Sequence, residues 1–370
     1  MKTAAKIMGR LTFLAIFSGV VTAATPYGVL AADRLAYSLG EDTTLVFSGY
    51  ADIGVEYIFS NDRDAETGFE FAPYAELNTA LEFRQNWSIQ STLKAEEFDK
   101  RDENQDNEGY GLALDKLFLQ YVSDRFIVYA GKFAARFGLV EDANLGKYGG
   151  DFNDYEVDEK VGFGGSVKFD AQGFGQQILS ASIFAADTSV FSDSLFFDRG
   201  RLRRADGGPS NTGDLSSYAI ALDGRSSVWL PANLSYHVGF SHQAAGQGDV
   251  GDSESLVLGL QQTDLEIVPG VSFQWIAEVA HVTNFEGDDE DITFYTFGGT
   301  LYWNLYSFTT VYSPRHVDSA NEGNSRTDQL LAATLGYQIY DNTELLLAYR
   351  YRNEEDVTDN TVSLSLGYSY

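Results

Sequence analysis

From Thr44 onward the chain alternates apolar and polar side chains with a period of two. Leu45, Phe47, Ile53, Val55, Tyr57 and Phe59 fall on one parity, and Ser48, Tyr50, Asp52 and Glu56 on the other. Successive side chains of a strand point to opposite faces, so this pattern predicts a sheet with one apolar and one polar side. It returns at 69–83, where Phe69, Phe71, Leu77, Leu81 and Phe83 oppose Glu70, Tyr74, Glu76, Asn78 and Glu82, and again at 234–240, 271–275, 345–351 and 362–370. The whole chain yields 16 candidate strands: 44–59, 69–84, 87–98, 111–122, 126–137, 160–169, 177–187, 215–223, 234–243, 254–264, 271–282, 292–303, 306–315, 327–339, 343–352 and 360–370. Short turns near 84–87, 123–125, 304–305 and 340–343 alternate with longer polar loops near 60–68, 99–110, 138–159, 188–214, 244–253, 283–291, 316–326 and 353–359.

Composition narrows the chemistry. The 370 residues include no cysteine, which excludes disulfides, thiolate metal sites and a cysteine nucleophile. With 25 basic against 54 acidic side chains, the net charge of -29 opposes nucleic acid, whose binding rests on Lys and Arg neutralising phosphates. A hydrophobic fraction of 44% is too high for a disordered acidic chain, and a mean hydropathy of -0.20 is too polar for a helical membrane protein.

The first ten residues carry Lys2, Lys6 and Arg10 and no acid, and the apolar run Leu11–Val21 follows. That is the layout of a secretory signal peptide, with small-residue cleavage sites at Val21-Thr-Ala23 and Val29-Leu-Ala31. The second site puts the signal at 1–31 and the mature domain at 32–370. The run is shorter than the roughly 20 apolar residues that a membrane-spanning helix needs.

Strands of about ten residues with an apolar face, short turns on one side and long loops on the other resemble the Gram-negative outer-membrane porins over nearly the whole mature chain. The resemblance implies an all-β, transmembrane, antiparallel up-and-down β-barrel of about 16 strands, because lipid cannot satisfy an open strand edge. A soluble barrel would turn the faces round. Three features favour the membrane form: the signal peptide, a polar face too charged to fill a soluble core, and a final strand closing on Leu366-Gly-Tyr-Ser-Tyr370. That end is similar to the terminal aromatic of outer-membrane barrels, with Tyr where porins more often carry Phe. Aromatics near strand ends, among them Phe59, Phe83, Trp87, Phe98, Tyr121, Trp303, Tyr306, Tyr340 and Tyr351, stand where interfacial girdles belong. A narrower resemblance, to substrate-selective and siderophore-type porins, lies in Gly131-Lys-Phe133, Phe137-Gly138, the acidic loop after them and the glycine-rich strand near 160. Arg136 stands where those proteins usually have proline.

The expected wall carries apolar residues toward lipid and charged ones toward a water column, so selectivity lies in how the lumen is narrowed and charged. In general porins the third loop folds inward. By that resemblance Glu141, Asp142, Asp151, Asp154, Glu156, Asp158 and Glu159 of loop 138–159 form the acidic side of a constriction; the alternative is a solvated surface loop. The basic side is assigned to Lys132 and Arg136, which share parity on the fifth strand and point inward if Tyr129 and Phe133 meet lipid, together with Arg84, Lys94, Arg350 and Arg352. The acid surplus favours cations. Arg199, Arg201, Arg203 and Arg204 form an opposing basic run suited to an anionic solute or lipopolysaccharide phosphates.

No resident cofactor is expected. Ca2+ or Mg2+ could tie the acidic loops to neighbouring lipopolysaccharide, since hard cations prefer oxygen ligands. The stretch 102–113 fails as an EF-hand, with Asn107 at the turn glycine and Ala113 at the bidentate glutamate. No phosphate-cradling loop, HExxH or GxSxG element is present, and His237, His242, His281 and His316 are scattered, so no enzyme is expected. The expected partners are outer-membrane lipid and lipopolysaccharide, small hydrophilic solutes and ions, and, by the resemblance, two further copies of the chain in a homotrimer. The reading is a porin for passive diffusion of small hydrophilic solutes. A selective porin for a nutrient such as a metal chelate, a silent adhesin or envelope anchor, and a secreted β-sandwich are its rivals.

Overall fold

A computed structural model describes residues 35–61, 67–99, 108–143, 145–225, 234–319 and 325–370; the signal peptide expected at 1–31 and the connection near 226–233 lie outside them. The strands are β1 (Leu35–Gly40), β2 (Thr43–Asn61), β3 (Gly68–Phe83), β4 (Trp87–Asp99), β5 (Glu108–Val122), β6 (Phe126–Phe133), β7 (Lys160–Ala171), β8 (Gly175–Ala186), β9 (Ser194–Leu195), β10 (Ser217–Arg225), β11 (Leu234–Gln243), β12 (Ser253–Val268), β13 (Val271–Val282), β14 (Glu290–Trp303), β15 (Tyr306–Ser319), β16 (Ser325–Tyr340), β17 (Thr343–Glu354) and β18 (Val357–Ser369). β2–β8 and β10–β18 make a closed, antiparallel barrel of 16 strands, each paired with its neighbour in sequence.

Closure uses both ends of the described chain. β18 pairs with β2 from Asp359↔Asn61 to Ser369↔Tyr50, and Tyr370 exchanges two backbone hydrogen bonds with Gly49 (2.9 and 3.0 Å). β1 continues along β2 beyond that point, from Leu35↔Phe47 to Gly40↔Thr43. β1 escaped the strand tally, yet the even number stands because β1 fills the same edge as β18.

The outer face is apolar along the wall. Ile53, Val55, Tyr57 and Phe59 on β2, Leu256, Leu258 and Leu260 on β12, and Val362, Leu364 and Leu366 on β18 are all exposed. Aromatic pairs cluster at the short-turn end, with Trp87 against Tyr121 (5.0 Å) and Tyr306 against Tyr337 (5.0 Å). At the opposite end Tyr57 lies against Phe69 (4.6 Å). Such girdles mark the two levels of a bilayer interface.

Three expectations are corrected. The strand expected at 126–137 ends at Phe133, and the chain turns inward there. The segment 353–359 is not a long loop: Glu355 and Asp356, at φ 51 and 61, make a two-residue hairpin between β17 and β18. The inner face is not polar throughout. Val257, Ile276, Ala280, Phe294, Val311 and Val317 face inward and are buried in one apolar cluster. This is no soluble-barrel core, because the outer face stays apolar; the inner apolar patch is covered by the chain segment after β6.

Candidate functional site

Segment 134–159 crosses the barrel interior and returns at Lys160. Inward-facing side chains from most of the wall hold it. Arg136 reaches Asp223 on β10 (2.7 and 3.2 Å) and Asp142 of its own segment (2.5 Å). The Gly138 N–H donates to Nε2 of His237 on β11 (3.0 Å), so the ring proton sits on Nδ1, which donates to Asp223 (2.9 Å). Oε2 of Glu278 on β13 accepts the Leu139 N–H (2.8 Å), and its Oε1 accepts the Tyr155 hydroxyl (2.5 Å). Further round, Arg315 on β15 pairs with Asp154 (3.2 Å), Thr334 on β16 accepts the Lys147 N–H (3.1 Å), and Arg350 on β17 pairs with Asp151 (3.0 Å). The Lys147 ammonium ends on Asp52 of β2 (2.9 Å), where Ser365 of β18 also donates (2.7 Å).

The segment has two faces. Phe137, Leu139, Val140, Ala143, Leu145, Tyr155 and Val157 pack on the apolar patch of β12–β15. Two wall glycines make room: a Cβ at Gly298 would stand 2.4 Å from Leu145 Cδ2, and one at Gly259 would stand 2.7 Å from Leu139 Cδ1. Cross-links between the limbs, Ala135 N–H to the Val157 carbonyl (2.9 Å) and Glu141 N–H to Glu156 Oε1 (2.9 Å), hold the base together.

The other face is acidic. Carboxylate oxygens of Glu141, Glu156 and Asp158 lie within 4.8 Å of one another. Lys116 on β5 stands 3.5 Å from Glu141 and 3.8 Å from Asp115, which in turn is 3.5 Å from Lys94 on β4. The Lys116 charge holds Glu141 below the usual carboxylate range. Burial, then the charges of Glu141 and Asp158, pushes Glu156 well above it, and burial with the Glu141 charge raises Asp158 to about 7.

Comparison with solved structures finds this architecture in outer-membrane barrels. The outer membrane channel DcaP of Acinetobacter baumannii aligns over 91% of this chain and all of its own, with TM-score 0.59 and 14% identity. OmpF of Salmonella typhi, solved with daunomycin, aligns over 91% of this chain and all of its own, with TM-score 0.61 and 11% identity. OprB of Pseudomonas putida covers 88% of this chain and 94% of its own, with TM-score 0.59 and 8% identity. The chain has the fold of the porin-type outer-membrane barrels. No family model matches the sequence, and no curated protein matches it. The apolar exterior of the closed porin-type barrel fits the same conclusion, a location in the bacterial outer membrane.

The porin-type frame places each residue expected at a constriction. Glu141, Glu156 and Asp158 lie together on the acidic face opposite Lys94 and Lys116. Asp142 is tied to Arg136, Asp151 to Arg350, and Asp154 to Arg315. Arg136 is in the inward segment rather than on a strand. Lys132 corrects the parity argument: Tyr129 and Phe133 are buried inside, and Lys132 shares parity with the exposed Val128 and Ala130. Its ammonium is enclosed by Glu159 (3.1 Å), Asp187 (3.1 Å) and the Phe191 carbonyl (2.9 Å), so Lys132 and Glu159 pair away from the acid cluster. Phe191 belongs to the next loop, whose β9 pairs Leu195 with Leu112 on the edge of β5 that the inward turn leaves free. Arg84 is exposed in the turn between β3 and β4 at φ 50, far along the strands from the inward segment. Arg352 binds Asp359 (2.8 Å), and Arg199 binds Glu159 (2.6 Å).

Asp115, Lys116, Asp223, Glu278, Arg315 and Thr334 are participants beyond the expected set, and His237, one of the scattered histidines, lies in the lumen as an anchor. A bulge opposite Thr92 and Leu93 turns Asp115 and Lys116 inward in succession, which strict alternation hides. The inward parity of Glu278 within an otherwise apolar strand, Ile276-Ala-Glu-Val-Ala280, was the available signal.

Proposed function

We propose that the barrel is a narrow diffusion channel for small hydrophilic solutes and ions, with cation preference. The observation that carries the reading is the seam between the acidic face of segment 134–159 and the β4–β5 wall. Glu141 and Asp115 balance Lys94 and Lys116, burial and its acidic neighbours keep Glu156 protonated, and ionisation of Asp158 from about pH 7 upward tips the seam to net negative charge. Fixed charge of one sign concentrates the opposite ion. The lumen arginines do not redress the balance, because Arg136, Arg315 and Arg350 each hold two or more carboxylates.

The test is a zero-current potential across a planar bilayer holding the purified protein in a potassium chloride gradient. A potential of the sign set by potassium supports the reading; one set by chloride overturns it. A selective channel is the second reading, favoured by the anchoring of the inward segment to strands all round the wall; conductance that saturates or is blocked by one solute supports it.

The lipid partner and the trimer belong to the same proposal. Arg201, Arg203 and Arg204 are exposed at the long-loop end, a charge match for lipopolysaccharide phosphates. Between β3 and β4 the outer face carries Ala75, Ala95, Thr79 and Ser91, the last two joined through their hydroxyls (2.7 Å), which suits packing against a second copy better than lipid.

A further inference from the structure

We propose that Glu278 is a positioning residue that sets the width and charge of the channel by clamping both limbs of segment 134–159 to the wall. The proposal rests on the channel reading above. Glu278 projects inward from β13 between Gly259 and Thr296 and is 3% exposed. No lysine or arginine ion-pairs with it among the described residues; hydrogen bonds from the segment satisfy its carboxylate. A charge taken from water is kept at a cost unless such donors compensate it, so a carboxylate here is a poor choice for mere filling.

The geometry gives it a task. One oxygen holds the outgoing limb at the Leu139 N–H and the other holds the returning limb at the Tyr155 hydroxyl. Leu139 is two residues before Glu141, and Tyr155 is next to Glu156. Tyr155 and Val157 face the wall, so their neighbours Glu156 and Asp158 face away from it, toward Glu141. The clamp therefore fixes the span of the segment and the direction of its three carboxylates. Gly259, directly across the strand pair, leaves the space for it: a Cβ there would stand 2.7 Å from Glu278 Oε2. His237 holds Gly138 one residue earlier, so two adjacent backbone N–H groups of the outgoing limb are bound by wall side chains.

The test compares wild type, E278A and E278Q, each first shown to be folded by heat-modifiable gel migration. Unitary conductance, the largest polyethylene glycol that enters, and the zero-current potential are measured in bilayers. Amide hydrogen exchange across 134–159 is measured in detergent. E278A is expected to raise conductance, admit larger polymers and weaken cation preference, with exchange at Leu139 accelerated roughly tenfold or more as both hydrogen bonds to the carboxyl group are lost. E278Q, which retains one acceptor oxygen, is expected to fall between. A folded E278A with wild-type conductance, polymer cut-off and exchange overturns the proposal. If wild type is silent in bilayers while E278A still accelerates exchange in 134–159, the channel reading falls and the clamp stands. If E278A does not fold, unchanged exchange and conductance in E278Q overturn the clamp.

Discussion

Replacing Asp158 by Asn should remove a pH step from the ion selectivity of the channel. Burial and the Glu141 charge raise the Asp158 carboxyl to about 7, while Lys116 keeps Glu141 ionised. Raising the pH from 6 to 8 therefore adds negative charge to the acidic face, and cation preference should rise with pH. The scale of the effect is that of an ion passing about 5 Å from the added charge, a distance comparable with the 4.8 Å spread of the three carboxylates. At that distance in water one unit charge contributes about 0.8 kcal/mol, and screening at 0.1 M salt leaves about 0.5 kcal/mol. The cation gains what the anion loses, so the permeability ratio should change about fivefold. The assay is the zero-current potential in a potassium chloride gradient at pH 5 to 9. The titration belongs to the coupled trio rather than to Asp158 alone, so D158N should shrink and displace the step, holding the low-pH selectivity across neutral pH. A wild-type potential flat from pH 6 to 8, or a D158N channel with the full step, would refute the reasoning.

Three further outcomes follow from the same contacts. Gly298→Val places side-chain carbon where Leu145 already lies, 2.4 Å from the Cβ position, and should loosen the segment by about 1–3 kcal/mol, read as faster hydrogen exchange around Leu145 with an intact barrel. Arg136→Gln strips the bridge between Asp142 and Asp223 and should cost on the order of 3 kcal/mol locally, seen as protease cleavage within 134–159 while whole-barrel unfolding in urea is unchanged. Lys116→Gln removes a cation from the seam, so cation preference should increase by a factor similar to that for Asp158; a decrease would place the ion path elsewhere.

The barrel was legible because a membrane imposes a simple rule on every strand. An outward residue must be apolar, and that alone gives Ile53, Val55, Tyr57 and Phe59 their parity. The inner face obeys no single rule, since each inward residue answers to whatever lies opposite. On β2 it meets charge and carries Asp52; on β12 it meets Leu139 and carries Val257 and Gly259. The run Leu256-Val-Leu-Gly-Leu260 had lost alternation, the mark of a strand covered on both sides, yet one covering was lipid and the other a loop distant in sequence. The acids of 138–159 were legible as a group and their division was not. Glu141, Glu156 and Asp158 meet one another, whereas Asp142, Asp151 and Asp154 are each taken by an arginine: Arg136 lies 6 residues from Asp142, but Arg315 lies 161 residues from Asp154 and Arg350 lies 199 from Asp151. Lys132 was misplaced because parity was anchored on Tyr129 and Phe133, aromatics that fit either lipid or a core.

An apolar patch inside a membrane barrel first argues against a water column, and its position reverses that argument. The inward residues buried against segment 134–159 belong largely to β10–β15, while β2–β5 present Asp52, Glu76, Thr92, Lys94, Asp115, Lys116 and Gln120. The apolar cluster runs from Phe118 on β5 through β6, β8 and β10 to Val317 on β15 and is densest at β12–β15, where the segment is seated, while its group of three acids faces β4 and β5. A single long loop with an apolar and a charged face thus does two jobs: it fills part of a lumen too wide for wall side chains to close, and it gives the remainder a fixed charge. Both depend on the segment being held at a defined distance from β4 and β5, and its anchoring by eight strands of the wall, rather than by its two ends, is what keeps that distance constant.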